Sequence, residues 1–211
     1  MHRHLPFPFF ELKLFMSLLP LTSATTATAS PWVRKYAPLI PHNAGPVLDL
    51  ACGNGRHTRL LLEAGHQVWA LDKDPVLLAP LAALGAKCFE LDLEHESLDG
   101  VLIDGLTWPF AQHSFAGIVV TNYLYRPLMP LILGALKDQG VLIYETFALG
   151  NERYGSPRNP DFLLRENELL EHFIFNADPA RNRQCIAYEY GYVKQPKEAM
   201  IQSICMKSCA R

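Results

Sequence analysis

Past Pro31, short apolar runs alternate with longer stretches of helical spacing, which is the pattern of parallel strands joined by crossover helices. The runs Pro46–Leu50, Gln67–Leu71, Ala86–Leu91, Phe115–Thr121 and Gly140–Phe147 read as strands. Between them, Arg56–Ala64, Pro75–Gly85 and Leu128–Asp138 read as helices. Gly65 stops the first, and Pro75 sets a favourable first-turn dihedral for the second. The tail is different: Arg183–Val193 and Ala199–Lys207 flank the turn-like Lys194–Glu198, so an antiparallel hairpin is expected there. The expected class is α/β, and right-handed crossovers bring the strand C-termini, with any ligand, to one edge of the sheet.

The first thirty residues do not share this regularity. "LKLFMSLLPLTSATTATAS" follows His2, Arg3 and His4 as a secretory signal does, but Pro6, Pro8, Glu11 and Lys13 break up its apolar core. It falls well short of the ~20 apolar residues of a membrane span. Either it is a weak signal ending in "ATAS", or Met16 is the true start and Thr22–Ser30 is a loose leader. The expected division is a poorly ordered leader over 1–30 and a single domain over 31–211.

Composition adds exclusions. A chain of 211 residues, 49% hydrophobic, suits one well-buried domain. Its 19 basic and 21 acidic residues leave a net charge of -2, so there is no general pull toward phosphate backbones and no strong nucleic-acid signal. The five cysteines form no CxxC pair, which argues against zinc and for reduced thiols in a cytoplasmic protein. No metal and no membrane association are expected.

The run from Asp49 to Gly55, D-x-A-x-G-x-G, carries the chemistry. A dinucleotide fold needs a third glycine for close helix packing, and Thr58 stands in that place. A hydride-transfer constellation is missing as well. S-adenosylmethionine sets a different requirement: it has no phosphates, so small loop residues let the backbone approach while a carboxylate such as Asp49 orients amides or the ammonium.

"LDLACGNGRHTRLLLEAGHQVWALDKDP" resembles motif I and its continuation in the class I S-adenosylmethionine-dependent methyltransferases, particularly the small bacterial tellurite-resistance type. The likeness extends in weaker form from Trp32 to the tail hairpin. It implies a Rossmann-like, seven-stranded, mostly parallel sheet with helices on both faces. It also implies S-adenosylmethionine as cofactor, with Ala51, Cys52, Gly53 and Gly55 forming the loop. Asp72 and the adjoining Lys73 match the ribose end, and Asp92 and Leu93 the adenine end. Asn122 and Tyr123 match the turn behind the methionyl part, with Arg56 toward its carboxylate. Glu166–Phe173 resembles the family's helix beyond the fifth strand. The sequence departs from the pattern at Ala51, a glycine in the family, at Ala116, where an acid is usual, and in the long stretch His95–Phe110.

Blander roles compete for the same residues. Asp72 and Asp92 also suit helix caps, Cys52 suits a small filler better than a nucleophile, and His57 and His66 suit exposed or capping positions. Trp108 is the tryptophan best situated to wall adenine or substrate. The loop after the fifth strand, Tyr144–Leu164, is rich in Asn151, Glu152, Arg153, Tyr154, Arg158 and Asn159, and is the expected substrate segment. Arg153 and Tyr154 are its candidate acceptor contacts. If the acceptor is nitrogen or oxygen, Glu145 or Tyr123 takes the proton; a thiol-type anion needs no base. The expected function is methyl transfer to a small-molecule acceptor. The alternative is a cofactor-binding module without transfer activity that serves a partner protein.

Overall fold

A computed structural model describes residues 28–94, 108–175 and 182–209. Five helices, α1 (Pro31–Tyr36), α2 (Arg56–Glu63), α3 (Pro75–Ala83), α4 (Met129–Ala135) and α5 (Glu168–Leu170), accompany seven strands. The strands are β1 (Val47–Leu50), β2 (Val68–Asp72), β3 (Lys87–Glu90), β4 (Phe115–Thr121), β5 (Leu136–Phe147), β6 (Arg183–Val193) and β7 (Ala199–Ser208). They form one sheet in the order β3-β2-β1-β4-β5-β7-β6. The first five are parallel, and β7 runs antiparallel to both β5 and β6. The expected Rossmann-like sheet with a C-terminal hairpin is therefore the observed one.

Strand alternation divides the core between the two faces of the sheet. Val47, Val68, Val119, Val141 and Ile143 pack under Trp32, Val33 and Tyr36 of α1 and Leu61 of α2. On the other face, Leu48, Leu50, Ile118, Val120, Leu142 and Tyr144 meet Met129 and Ile132 of α4, with Leu169 and Phe173 beyond. Each such fully buried side chain contributes about 1.5–3 kcal/mol, which makes the sheet a rigid platform. The chain runs outward from β1 to β3 and returns to β4 on the other side of β1, so the strand order reverses between β1 and β4. A ligand crevice opens at the carboxyl ends of strands where such a reversal occurs.

The structure departs from the sequence reading at four elements. Helix α1 was not anticipated; Ser30 caps it, its side chain accepting the Trp32 N–H at 3.1 Å, and Pro31 opens it. Ala29 and Ser30 are buried, so the last two residues of the expected leader belong to the folded unit. The helix read as Leu128–Asp138 ends at Ala135, because Leu136 pairs with Phe115, and the next ladder pair is Val141 with Gly117. The helix read as Glu166–Phe173 is the short α5 followed by a π-turn over Glu171–Phe175. Residues 1–27, and with them the choice between Met1 and Met16, lie outside the described residues, as do 95–107.

Candidate functional site

The loop between β1 and α2 is built for tight backbone. Ala51 lies at φ 52° and Gly53 and Gly55 at 54° and 74°, all in the left-handed region. That conformation explains why glycine is usual at position 51, and the alanine adopts it at a cost of roughly 1–2 kcal/mol. A Cβ on Gly55 would fall 2.2 Å from Leu81 Cδ2, so this glycine permits contact between the start of α2 and α3. Nothing lies within 4 Å of a Cβ position on Gly53, and the space above it is open. The Cys52 N–H donates to the Leu71 carbonyl at 2.9 Å and the Gly53 N–H to Asp72 Oδ2 at 2.8 Å, tying the loop to β2.

Asp49 lies beneath this loop and lines neither cavity described below. Its Oδ2 accepts from the Thr58 hydroxyl at 2.6 Å. Burial, opposed by the hydroxyl and N–H of Thr58, pushes its pKa up to about 6. Asp49 thus positions the start of α2. Cys52 is buried and its thiol is pushed well above its ordinary value, first by burial and then by the charge of Asp49, which suits a filler rather than a nucleophile.

Two hollows flank the loop. The smaller, about 190 Å³, has an apolar floor of Ala51, Leu71, Leu91 and Leu93, with Asp72, Lys73, Asp92 and Glu94 around it. Asp72 Oδ1 accepts the Asp74 N–H at 3.1 Å, and Asp92 Oδ1 accepts the Glu94 N–H at 3.0 Å. Tyr123 closes it. Its hydroxyl is buried without a hydrogen-bond partner among the described residues. Burial, then the charge of Glu94, drives the phenol above its ordinary pKa, the wrong direction for a proton acceptor near neutrality. Tyr123 therefore lines this cleft, and a phenol raised in this way is poorly suited to be the base that the sequence allowed.

The larger cavity, about 410 Å³, is lined in part by Asn122, in the turn after β4, and by Arg56, which opens α2. Asn122 is left-handed at φ 55°, and its N–H donates to the Glu145 carbonyl at 2.9 Å. The Glu145 carboxylate accepts the Ser30 hydroxyl at 2.8 Å on Oε1 and the Ser203 hydroxyl at 3.1 Å on Oε2. Burial raises its pKa, while the two serines and then Arg56 draw it back. Ser30 is held in turn by His57, whose Nε2 accepts the Ser30 N–H at 3.1 Å and whose Nδ1 meets Thr121 Oγ1 at 3.2 Å. Burial, with Arg56 and then Arg34 adding to it, lowers the pKa of His57 to about 3. His57 is thus a neutral, buried residue that supports Ser30 from behind, not the exposed or capping residue expected. His66 is also buried, stacked on His42 with ring centroids 4.3 Å apart.

The predicted substrate loop divides. Tyr154 lines the cavity and packs on Tyr192 at 5.0 Å, while Arg153 is exposed and outside it. Asn151 explains the difference: it is buried, donating to the Pro157 carbonyl at 3.0 Å and accepting the Met200 N–H at 3.2 Å, which pins the loop with Tyr154 inward. Trp108 packs edge-on to Phe110 at 5.3 Å and walls neither hollow. Sequence reasoning missed Ser30, Trp32, Lys35, Glu189, Lys197, Glu198 and Ser203 as cavity residues. Of these, only the charged turn "KQPKE" carried a local signal. Among the described residues, no group of His, Cys, Asp and Glu side chains is suited to hold a metal ion, and no helix is long and apolar enough to cross a membrane.

Residues 47–138 match the family model of a methyltransferase domain. Among solved structures, the chain is similar to an S-adenosylmethionine-dependent methyltransferase from Mesorhizobium loti at 16% identity, covering 82% of this chain and 96% of that one, TM-score 0.59. It is similar to TehB from Haemophilus influenzae at 18% identity, covering 88% of this chain but 64% of TehB, TM-score 0.58. A third similar structure, an S-adenosylmethionine-dependent methyltransferase from Methanosarcina mazei, is 13% identical, with 87% of this chain and all of that one covered, TM-score 0.56. At these identities the likeness is one of fold.

Proposed function

We propose that the chain, whose residues 47–138 match a methyltransferase-domain model, is a class I S-adenosylmethionine-dependent methyltransferase whose cofactor lies across the turn at Asn122 and Tyr123, with the nucleoside in the smaller cleft and the methyl group facing the larger cavity. In this reading the larger cavity receives a small-molecule acceptor. The observation that carries it is that the two hollows meet at that one turn, beside the reversal of strand order. The open space above Gly53 and the unpartnered Tyr123 hydroxyl both fit a bound nucleoside.

Asp72 accepts from the ribose hydroxyls and Asp92 from the adenine amino group, with Ala51, Leu93 and the stem of Lys73 against the base and sugar. Arg56 and Asn122 face the methionyl end. S-adenosylmethionine supplies a methyl group already activated on a sulfonium, so the protein has to align the acceptor and exclude water. Trp32, Phe147 and Tyr154 provide apolar walls for that purpose.

Calorimetry should detect binding of S-adenosylmethionine and S-adenosylhomocysteine to the folded chain, and no binding of either would overturn the reading. Incubation with methyl-labelled cofactor and a panel of small acceptors then identifies what receives the label. With that acceptor, Tyr154→Ala should slow single-turnover transfer about tenfold, the loss expected for an aromatic contact of ~1–1.5 kcal/mol. Cofactor affinity should stay unchanged, and Arg153→Ala should leave both within about twofold, as for an exposed side chain. Native-rate transfer in Tyr154→Ala would remove that residue from the acceptor wall.

A further inference from the structure

Within the cavity, the charged groups differ sharply in depth. Lys35, Glu189, Lys197 and Glu198 are exposed at the rim, where their mixed signs are screened by solvent. Lys35 Nζ lies 5.0 Å from the Tyr36 ring centroid, and Glu198 accepts from the Tyr192 hydroxyl. Only Arg56 and Glu145 are partly buried, and Arg56 is taken by the methionyl end in the reading above. Glu145 remains to meet the acceptor.

The surroundings of Glu145 suit a cation. Each carboxylate oxygen accepts one serine hydroxyl, leaving a lone pair on each for a further donor. No ion pair to Glu145 is present among the described residues. In register, Glu145 of β5 stands opposite Ser203 of β7, and Ser203 opposite Glu189 of β6, so two carboxylates lie on one face of the sheet. Trp32, Phe147 and Tyr154 offer aromatic surface beside them, to which a cation is also attracted.

We propose that the methyl acceptor is a primary or secondary amine, held as its ammonium by Glu145, which takes the proton from nitrogen before transfer. This rests on the reading of the cavity as the acceptor site. The N–H bond breaks with its electrons left on nitrogen, and the proton passes to an Oε of Glu145. The nitrogen lone pair then forms the bond to the methyl carbon as the carbon–sulfur bond breaks, with its pair remaining on sulfur. The products are a methylated ammonium and the neutral thioether S-adenosylhomocysteine, and Glu145 returns its proton to solvent at the rim. The raised pKa of the buried carboxylate favours accepting the proton.

The test uses the full chain saturated with S-adenosylhomocysteine and four probes of one shape: benzylamine, benzyl alcohol, benzyl mercaptan and benzoate. Benzylamine should bind at least about tenfold more tightly than the other three, the scale of one charge-assisted hydrogen bond. In Glu145→Gln the preference should fall to within about threefold while affinity for S-adenosylhomocysteine is kept. With labelled S-adenosylmethionine, label should pass to benzylamine. Equal or inverted affinities in the wild-type chain, a preference that survives Glu145→Gln, or label passing to the mercaptan instead overturns the proposal. The wild-type ratios stand alone if the variant does not fold. Failure of S-adenosylhomocysteine to bind would instead sink the cofactor reading, so the two failures are distinct.

Discussion

Between pH 7.5 and pH 4.5, the stability of the wild-type chain relative to His57→Gln should fall by about 3 kcal/mol, measured by urea unfolding at each pH. His57 is 1% exposed, and its folded pKa of about 3 lies below the ordinary 6.5. A base depressed in this way stabilises the fold fully above the unfolded pKa. That contribution is lost as the pH falls toward the folded value, by about 5 kcal/mol in all at 1.36 kcal/mol per unit. Asp49 acts with the opposite sign. Its folded pKa of about 6 exceeds the ordinary 3.8, so burying its charge costs stability at neutral pH, and the cost is relieved as the pH falls through 6. Relative to Asp49→Asn, the wild type should therefore regain about 2 kcal/mol between pH 7.5 and 4.5. The two groups partly cancel in the wild type, and subtracting each variant's curve separates them. A pH-independent difference between wild type and His57→Gln would show that the imidazole is not buried neutral. Acid should also impair the cavity, because a protonated Nε2 cannot accept the Ser30 N–H, and Ser30 is one of the two hydroxyls on Glu145.

The fold was largely legible because its strands follow local rules. All seven strands were expected from runs bounded by turn residues, and the hairpin register follows from "KQPKE". Helix α1 escaped because six residues hold too little periodicity to detect, and the signal that creates it, Ser30 followed by Pro31, straddles the boundary drawn between leader and domain. That Asp72 and Asp92 line one cleft was legible for a similar reason. Asp72 is the last residue of β2 and Asp92 lies two residues beyond β3, so sequence order already sets them side by side. The cavity was not. Glu145 meets Ser30 and Ser203 from 115 and 58 residues away, and only pairing of β7 with β5 brings the second of these within reach. The choice of Tyr154 over Arg153 likewise rests on where Asn151 anchors the loop, through a backbone group 49 residues away.

The remaining prediction concerns Asp72. Asp72→Ala should weaken binding of S-adenosylhomocysteine by about 1.5–3 kcal/mol, or roughly 10- to 150-fold, the range for hydrogen bonds to a charged group. The carboxylate has two tasks, since it also receives the Gly53 N–H at 2.8 Å and the Asp74 N–H at 3.1 Å. A loss of affinity on its own would therefore not distinguish a missing ribose contact from a loosened glycine loop. A cofactor analogue lacking both ribose hydroxyls separates them. If Asp72 holds the ribose, the wild type should bind this analogue more weakly than S-adenosylhomocysteine, and Asp72→Ala should lose little further affinity for it. The two changes then show a coupling energy close to the single effect. If the variant loses the same affinity for both ligands, Asp72 acts only through Gly53, and the ribose is held elsewhere. Asp72→Asn gives an intermediate case, because the amide oxygen still accepts the Gly53 N–H while its nitrogen, a donor only, cannot accept from a ribose hydroxyl.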